Sequence, residues 1–343
     1  MLKHLKSLQL WALVFVSITG FTGASETFAQ GSSEHIKVFG ASLQGNLQGN
    51  DPERDVYVYL PPGYAGSSTR YPVVYFLHGY AVTADIYVEG VLHIPPAVDA
   101  AIAAGAPEAI IVMPDAFTAY GGSFYSSSPT IGDWESWIAK DLVNYMDTHY
   151  RTIASRDGRG LSGHSMGGYG TLRIGMQYPD VFGALYSMSA GALLNKVPEA
   201  EAVKTQWARM QAGITNEPRK SENGMQAQAS AWAPNPQNPP WYFDLPFNEK
   251  GEPVPLVAEK WLTNSLLLTV DQHVPALKSF RGIMLDVGNE DALEASNTLM
   301  SQTLTRLGVA HQYAVYEGNH GNRVGQRFID EVLPFFARNL QAP

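Results

Sequence analysis

Short apolar runs that alternate with segments of helical spacing constrain the fold of this chain most strongly. Residues 71–77 and 109–113 are continuous apolar runs of strand length, typical of strands that are buried on both faces. Residues 134–150 follow them with apolar side chains at helical spacing. Strands separated by helices predict an α/β fold with a mostly parallel central sheet flanked by helices. Because ligands of such sheets bind beyond the carboxyl ends of the strands, functional residues are expected in the loops that follow strands.

The same pattern continues to the end of the chain, with one interruption. Between about residues 192 and 280 the alternation stops over a length that ordinary loops do not reach. We interpret this interval as a cap-like insertion in a single domain that spans residues 30–343. The other predicted strands are residues 35–39, 55–60, 159–161, 182–188, 283–287 and 313–316, and the other predicted helices are 169–177, 293–307 and 325–340.

Composition excludes several classes of function. The 343 residues carry a net charge of −9, whereas a nucleic-acid-binding protein needs a basic face. The chain contains no cysteine, which excludes disulfides, thiolate metal sites and a cysteine nucleophile. No pair of histidines has the HExxH spacing of a zinc protease, so we predict neither a metal nor an organic cofactor.

The first 29 residues have the layout of a secretory signal peptide. Lys3 and Lys6 precede an apolar run at residues 10–21, and small residues suitable for cleavage end at Ala29. The apolar run is shorter than the roughly 20 residues that a membrane-spanning helix needs. We therefore predict a secreted or periplasmic bacterial protein with no membrane span in its mature chain.

The segment Gly163-His164-Ser165-Met166-Gly167 matches the G-x-S-x-G nucleophile elbow. A predicted strand precedes it and a predicted helix follows, as this turn requires. The turn raises a serine hydroxyl above the sheet, and glycine is needed where neighbouring backbone leaves no room for a side chain. Ser165 is the predicted nucleophile.

A serine needs a base to remove its proton, and in this kind of fold the order along the chain is serine, acid, histidine. His273, His311 and His320 follow the elbow. Only His320 lies in a loop between the last strand and the last helix, so we predict it as the base. His78 is an alternative whose position in the chain order is wrong.

The acid is expected after the strand at residues 283–287. Asp291 lies in the loop and is the preferred candidate, with Asp286 and Glu290 as alternatives. One oxyanion donor is expected in the loop after the strand at residues 71–77, where Tyr80 offers its backbone N–H. The Met166 N–H is the other predicted donor.

These residues lie in segments that resemble the esterase D family of α/β hydrolases. The segments that carry the resemblance are residues 57–64 (YVYLPPGY), 71–79 (YPVVYFLHG), 122–125 (GSFY), 149–151 (HYR), 163–168 (GHSMGG), 286–291 (DVGNED) and 318–320 (GNH). The family contains S-formylglutathione hydrolases, feruloyl and acetyl-xylan esterases, enterochelin-type esterases and mycolyltransferases. The resemblance implies that Ser165, Asp291 and His320 form the triad, with Tyr80 and Met166 as the oxyanion donors.

The expected function is therefore hydrolysis of a small-molecule or saccharide-linked carboxylic ester through an acyl-enzyme. Tyr125, Trp134 and Trp241 are candidate substrate-binding residues because they follow strand ends or lie in the aromatic part of the insertion. Acyl transfer to an alcohol or sugar, and binding by a catalytically silent hydrolase fold, are the alternatives. No nucleic-acid partner is expected, and the sequence does not determine the oligomeric state.

Overall fold

A computed structural model describes residues 30–213 and 224–342 of the chain. Eight strands form the central sheet: β1 (Ser32–Phe39), β2 (Glu53–Leu60), β3 (Val73–Leu77), β4 (Ile110–Pro114), β7 (Arg159–His164), β8 (Ala184–Met188), β9 (Gly282–Gly288) and β10 (Gln312–Tyr316). Two short strands, β5 (Ser127–Ser128) and β6 (Gly132–Asp133), form a separate small hairpin. The order across the central sheet is β1-β2-β4-β3-β7-β8-β9-β10. β2 pairs antiparallel with β1 and β4, and the remaining neighbours pair in parallel, which confirms the predicted mostly parallel sheet.

Helices follow most of the parallel strands, as predicted, although several are divided. The predicted helix at residues 134–150 is interrupted by a π-helical turn at Trp137–Leu142, and the predicted helix at 325–340 by another at Phe328–Val332. The helices are α1 (Pro96–Ala103), α2 (Trp134–Ser136), α3 (Val143–His149), α4 (Met166–Gln177), α5 (Ala200–Gln211), α6 (Gly224–Trp232), α7 (Pro255–Thr263), α8 (Leu266–Thr269), α9 (Val274–Lys278), α10 (Glu294–Arg306), α11 (Val324–Arg327) and α12 (Leu333–Asn339).

Alternating side chains of the central strands build two apolar cores, one on each face of the sheet. In β3, Tyr75 and Leu77 belong to the core that also contains α4 residues, whereas Phe76 belongs to the core on the other face. There the Phe76 ring meets Phe328 edge to face, with 5.2 Å between centroids. With both faces of the strands buried, ligands of such a sheet bind at its edge formed by the carboxyl ends of the strands. That edge carries the loops of the candidate site.

The interval between β8 and β9 holds α5 to α9, and its helices pack against the body of the protein. The Gln48 side chain donates a hydrogen bond to Ser230 in α6, and the Trp232 indole N–H donates one to Ser126. The Arg173 guanidinium in α4 donates one to the side chain of Asn264, which follows α7. These contacts join the interval to the rest of the fold at several points. Its description as a cap within one domain stays a prediction.

The predicted signal peptide, residues 1–29, lies outside the described residues. Across the described ranges, no helix combines the length and the apolar character that crossing a membrane requires.

Candidate active site

Ser165 occupies the sharp turn between β7 and α4. Its backbone has φ 59° and ψ −113°, a conformation that is rare for a residue with a side chain. The turn is held by a 2.9 Å hydrogen bond from the Ser165 N–H to the Met188 carbonyl of the neighbouring strand β8. Helix α4 begins at the next residue, Met166, rather than at residue 169 as predicted. The side chain of Ser165 therefore projects beyond the carboxyl ends of the strands.

Two glycines make room for this turn. A Cβ atom at Gly167 would overlap the carbonyl oxygen of Leu77 in β3, and one at Gly163 would lie 2.5 Å from the Gly167 carbonyl oxygen. Both obstacles are main-chain atoms that cannot rotate away. The elbow spacing is thus a consequence of how closely β3, β7 and α4 approach one another.

Two loops bring an imidazole and a carboxylate to Ser165. His320, which follows β10, places its Nε2 atom 2.9 Å from the Ser165 hydroxyl oxygen. Its Nδ1 atom lies 2.7 Å from a carboxylate oxygen of Asp291, which follows β9. The carboxylate can only accept, so Nδ1–H donates to Asp291 and the Nε2 lone pair faces the Ser165 hydroxyl. This tautomer is the one that can remove a proton from the serine.

The two other acidic candidates do not reach His320. Glu290 is exposed, and Asp286 is fully buried within β9. The Asp286 carboxylate accepts hydrogen bonds from the Tyr186 hydroxyl and from Arg327, each at 2.7 Å. Burial raises the pKa of Asp286, and the charge of Arg327 opposes that effect. Of the three acids, the structure brings only Asp291 to the histidine.

The structure places the two other histidines that follow the elbow, His311 and His273, outside this group of hydrogen-bonded residues. His311 contacts the Ser301 hydroxyl and the Val309 carbonyl. His273 ends a 3₁₀ turn, Val270–His273, in the long interval between β8 and β9.

His78 instead orients the loop that carries the predicted oxyanion donor. It is completely buried, accepts a hydrogen bond from the Ala116 N–H through Nε2, and faces the Gly79 carbonyl through Nδ1 at 2.8 Å. Because a carbonyl only accepts, Nδ1–H must donate to it. The pKa of His78 is lowered by burial, which keeps the ring neutral in this role.

That bond sets the direction of the Tyr80 N–H. Gly79 C=O and Tyr80 N–H belong to one trans peptide unit, so they point in opposite directions. With the carbonyl turned towards His78, the N–H points to the other side of the loop. Gly79 itself lies against the nucleophile, since a Cβ atom there would be 3.5 Å from Ser165 Cβ.

Neither predicted oxyanion donor is used within the fold. Among the described residues, no backbone or side-chain acceptor takes a hydrogen bond from the N–H of Tyr80 or of Met166. Met166 is the first residue of α4, where the N–H groups have no intrahelical partner and the helix dipole favours negative charge. Both N–H groups thus stay available to an oxygen atom bound beside Ser165.

Two of the predicted substrate-binding residues are corrected by their burial. Trp134 has no exposed surface, packs edge to face on Trp137, and donates its indole N–H to the Ile131 carbonyl. Tyr125 is also fully buried, and its hydroxyl donates to the His78 carbonyl at 3.1 Å. Neither side chain presents a surface to a substrate. Trp241 is half-buried against Trp207, with 5.4 Å between ring centroids, and its role stays a prediction.

The residue beside Tyr125, Phe124, is also buried, but its ring contacts the loop of the predicted oxyanion donor. Phe124 stacks on Tyr80 with 5.9 Å between centroids and meets Trp232 at 5.0 Å. Phe124 and Tyr125 have φ values of 49° and 44°, and two such residues in succession store backbone strain of the kind found at functional sites. The GSFY segment is the available signal in the sequence, but it does not indicate which of the two rings contacts Tyr80.

His164 is the second residue that the sequence analysis did not identify. It is buried directly before Ser165, and its Nε2 atom lies 2.7 Å from the backbone carbonyl of His320. Its only sequence signal was its place in the elbow motif, where many residue types are allowed.

In the described part of the chain, no group of three or more histidine and acidic side chains is arranged to hold a metal ion.

Comparisons with known proteins identify the family and the fold of this chain. A family model described as putative esterase matches residues 49–333. An esterase of Mycobacterium tuberculosis is 34% identical over 146 residues, which are 41% of this chain and 30% of the mycobacterial protein. An endo-1,4-beta-xylanase/feruloyl esterase of Xylanibacter ruminicola is 30% identical over 158 residues, 43% of this chain and 21% of that protein. The chain thus spans less than a third of the length of these two relatives.

Solved structures with the same fold cover nearly the whole chain. A ferulic acid esterase superposes with a TM-score of 0.64 and 22% identity, over 91% of this chain and 99% of the other. An S-formylglutathione hydrolase from Staphylococcus aureus superposes with a TM-score of 0.58 and 15% identity, over 90% and 99%. These likenesses confirm the α/β-hydrolase fold. Because the family model spans most of the sequence, including the elbow and both loops that meet there, the chain belongs to the putative esterase family.

Proposed function

We propose that this protein hydrolyses carboxylic esters through an acyl-enzyme formed on Ser165. The observation that carries the proposal is the continuous chain of hydrogen bonds from Ser165 through His320 to Asp291, at 2.9 and 2.7 Å. A serine hydroxyl becomes an effective nucleophile when a neutral imidazole accepts its proton. The carboxylate of Asp291 then stabilises the imidazolium without taking the proton.

The first half of the reaction forms the acyl-enzyme. The Ser165 oxygen attacks the ester carbonyl carbon while its proton moves to His320 Nε2, and the carbonyl oxygen becomes an oxyanion. The N–H groups of Tyr80 and Met166 donate to that oxygen, and such donors contribute most when they are fixed in place before the reaction. The C–O bond to the alcohol then breaks, and the leaving oxygen takes the proton from His320.

The second half returns the enzyme to its starting state. Water gives a proton to His320 Nε2 and attacks the acyl carbon, the serine oxygen leaves, and His320 protonates it. The carboxylic acid departs with one oxygen from water. We propose small-molecule or saccharide-linked esters as substrates, since one relative carries the name endo-1,4-beta-xylanase/feruloyl esterase and one solved structure of the same fold is a ferulic acid esterase.

Replacement of the nucleophile tests the proposal. Ser165→Ala should lower turnover of p-nitrophenyl acetate by several powers of ten and abolish labelling by a fluorophosphonate, because loss of such a serine costs about 10⁶-fold in subtilisin. Ser162→Ala is the matched control: this serine lies on β7, three residues before Ser165, and its buried hydroxyl has no partner among the described residues. Near-parental turnover in Ser165→Ala would refute the assignment. Product analysis with an added alcohol separates hydrolysis from acyl transfer.

We also propose that residues 1–29 direct export and are removed after Ala29, on the layout of the basic and apolar segments. N-terminal sequencing of the protein recovered from the periplasm or the medium of an expressing bacterium should begin at Gln30. Protein retained in the cytoplasm with Met1 at its terminus would contradict the proposal.

A further inference from the structure

A buried imidazole joins the nucleophile turn to the loop of the base. His164 ends β7 and is 4% exposed. Its Nδ1 atom lies 2.6 Å from the Tyr87 hydroxyl, and its Nε2 atom lies 2.7 Å from the main-chain carbonyl of His320. The rings of His164 and His320 are 4.7 Å apart between centroids. The contact is therefore with the catalytic loop itself and not with a remote part of the core.

Hydrogen-bond chemistry fixes the state of this imidazole. The His320 carbonyl can only accept, so His164 must donate through Nε2–H, and its Nδ1 lone pair must accept the Tyr87 hydroxyl proton. Burial, with the nearby His320, lowers the pKa of His164 to about 3. The ring is thus neutral at ordinary pH and satisfies both partners in a single tautomer.

Tyr87 extends the connection to the other side of the site. It comes from the π-helical turn Ile86–Val91 and is 5% exposed. Its hydroxyl oxygen packs against Gly79, where a Cβ atom would lie 2.8 Å away. Burial raises the pKa of the Tyr87 phenol, and an interaction with the Gly79 backbone opposes the rise. Gly79 precedes Tyr80, so the phenol touches the loop of the proposed oxyanion donor.

We infer that Tyr87 and His164 are positioning residues that hold the Gly79–Tyr80 loop and the His320 loop in register with Ser165. This inference rests on the proposed function. The two side chains span the gap between donor loop and base loop: the Tyr87 hydroxyl packs against Gly79 and bonds to His164, which in turn donates to the His320 main chain. Neither touches the substrate, so their effect on the reaction passes through the placement of other groups. A displacement of about 1 Å in such groups can cost about 10²-fold in rate.

Four variants separate positioning from simple core filling. His164→Leu and Tyr87→Phe should lower kcat for p-nitrophenyl acetate about ten- to a hundredfold, with KM changed less than about threefold, and should slow fluorophosphonate labelling of Ser165 by a similar factor. His164→Gln should recover most of the lost rate, because its amide N–H can donate to the His320 carbonyl. The Tyr87→Phe/His164→Leu double variant should lose much less than the product of the single losses, since both residues act in one connection.

Matched controls remove the same kinds of bond elsewhere. Tyr59→Phe deletes a buried hydroxyl that donates to Asp99 at 2.6 Å, and His311→Leu deletes an imidazole that bridges Ser301 and a main-chain carbonyl. Both controls should lower the unfolding temperature and leave kcat at the parental value. The inference is overturned if His164→Leu and Tyr87→Phe keep parental kcat and labelling rates, or if glutamine at position 164 performs no better than leucine. Failure of the parent protein to label at Ser165 would instead refute the proposed function.

Discussion

Two aspartates five residues apart, Asp286 and Asp291, should respond to the same substitution in opposite ways. Both were candidates for the acid, and both are almost fully buried. Asp291 faces His320, whereas Asp286 faces Tyr186 and Arg327. Replacement of each by asparagine removes one negative charge and almost no volume. The comparison therefore isolates what each charge does.

The structure indicates how Asp291→Asn would fail. One Asp291 carboxylate oxygen accepts a 2.9 Å hydrogen bond from the Leu293 N–H, and the other faces His320 Nδ1 at 2.7 Å. An asparagine keeps the first bond with its carbonyl oxygen, which leaves its NH₂ group facing the imidazole. The amide then donates to Nδ1 and forces the histidine proton onto Nε2, where it blocks the serine. The equivalent change in a serine protease lowers kcat about 10⁴-fold, equal to about 5 kcal/mol of barrier.

Asp286→Asn should instead weaken the fold. Its oxygen can still accept from Tyr186 and Arg327, but the guanidinium, whose side chain is 13% exposed, loses its counter-ion. Breaking a buried pair costs about 3–5 kcal/mol. We expect the lower end, about 3 kcal/mol, because burial already raises the pKa of Asp286 and so disfavours its charged form.

Turnover of p-nitrophenyl acetate and urea unfolding followed by tryptophan fluorescence measure the two effects on the same samples. Asp291→Asn should lose turnover and keep its free energy of unfolding within about 1 kcal/mol, as most bonds survive. Asp286→Asn should lose stability and keep its activity. The kcat of the folded variant should stay within about threefold of the parent, which is a smaller change in activation free energy than the roughly 1.4 kcal/mol of a tenfold effect. If Asp286→Asn abolishes turnover in a fully folded protein while Asp291→Asn retains it, the assignment of the acid is wrong.

Three further predictions concern stability. The folded state lowers the pKa of His164 from 6.5 to about 3. Between these two pH values the unfolded chain binds one more proton than the folded chain, so the free energy of unfolding falls on acidification by about 1.4 kcal/mol per pH unit. His164→Gln should remove this contribution to the pH dependence of the free energy of unfolding between pH 4 and 6, measured by urea titration, and an unchanged pH dependence would contradict the prediction. Gly167→Ala should cost more than the roughly 1–3 kcal/mol of ordinary overpacking, because the new methyl would overlap the Leu77 main chain, and a parental urea midpoint would refute this. Arg173→Met leaves Glu135, in a nearly buried position, without its 2.8 Å ion pair. The free energy of unfolding should fall by about 3 kcal/mol, while kcat per folded molecule is unchanged. A loss of kcat without a loss of stability would contradict this prediction.

The sheet and the positions of the site loops could be predicted because each depends on local pattern. Apolar runs of strand length and helical spacing predict the parallel strands to within two or three residues, and chain order together with a loop position after the last strand selects His320. The helix after the elbow was predicted three residues late because Met166, Gly167 and Gly168 carry no helical periodicity. Their conformation follows from the strained Ser165 turn and the close approach of β3.

The substrate-binding residues were harder to predict because burial depends on partners distant in sequence. Trp134 follows a strand end, as a site residue would. Its ring nevertheless packs edge to face on Trp137, and the Arg54 guanidinium lies over it. Phe124 and Tyr125 are neighbours with similar apolar side chains. Phe124 stacks on Tyr80 and Tyr125 meets His78 edge to face, and both residues adopt positive φ values that the sequence does not indicate.

The connections that hold the acid and the base together run through the main chain, where a sequence shows nothing. The Asn289 N–H donates to the Tyr316 carbonyl, and the Glu290 N–H donates to the Gly318 carbonyl, at 2.8 and 2.9 Å. These bonds fasten the loop of Asp291 to the loop of His320 without involving Ser165. The acid–base pair should therefore persist in Ser165→Ala. These two bonds do not fix the position of that pair relative to the nucleophile. His164 adjoins Ser165 in sequence and donates a hydrogen bond to the His320 main chain. The placement of His320 relative to the nucleophile therefore depends on His164 as well as on Ser165.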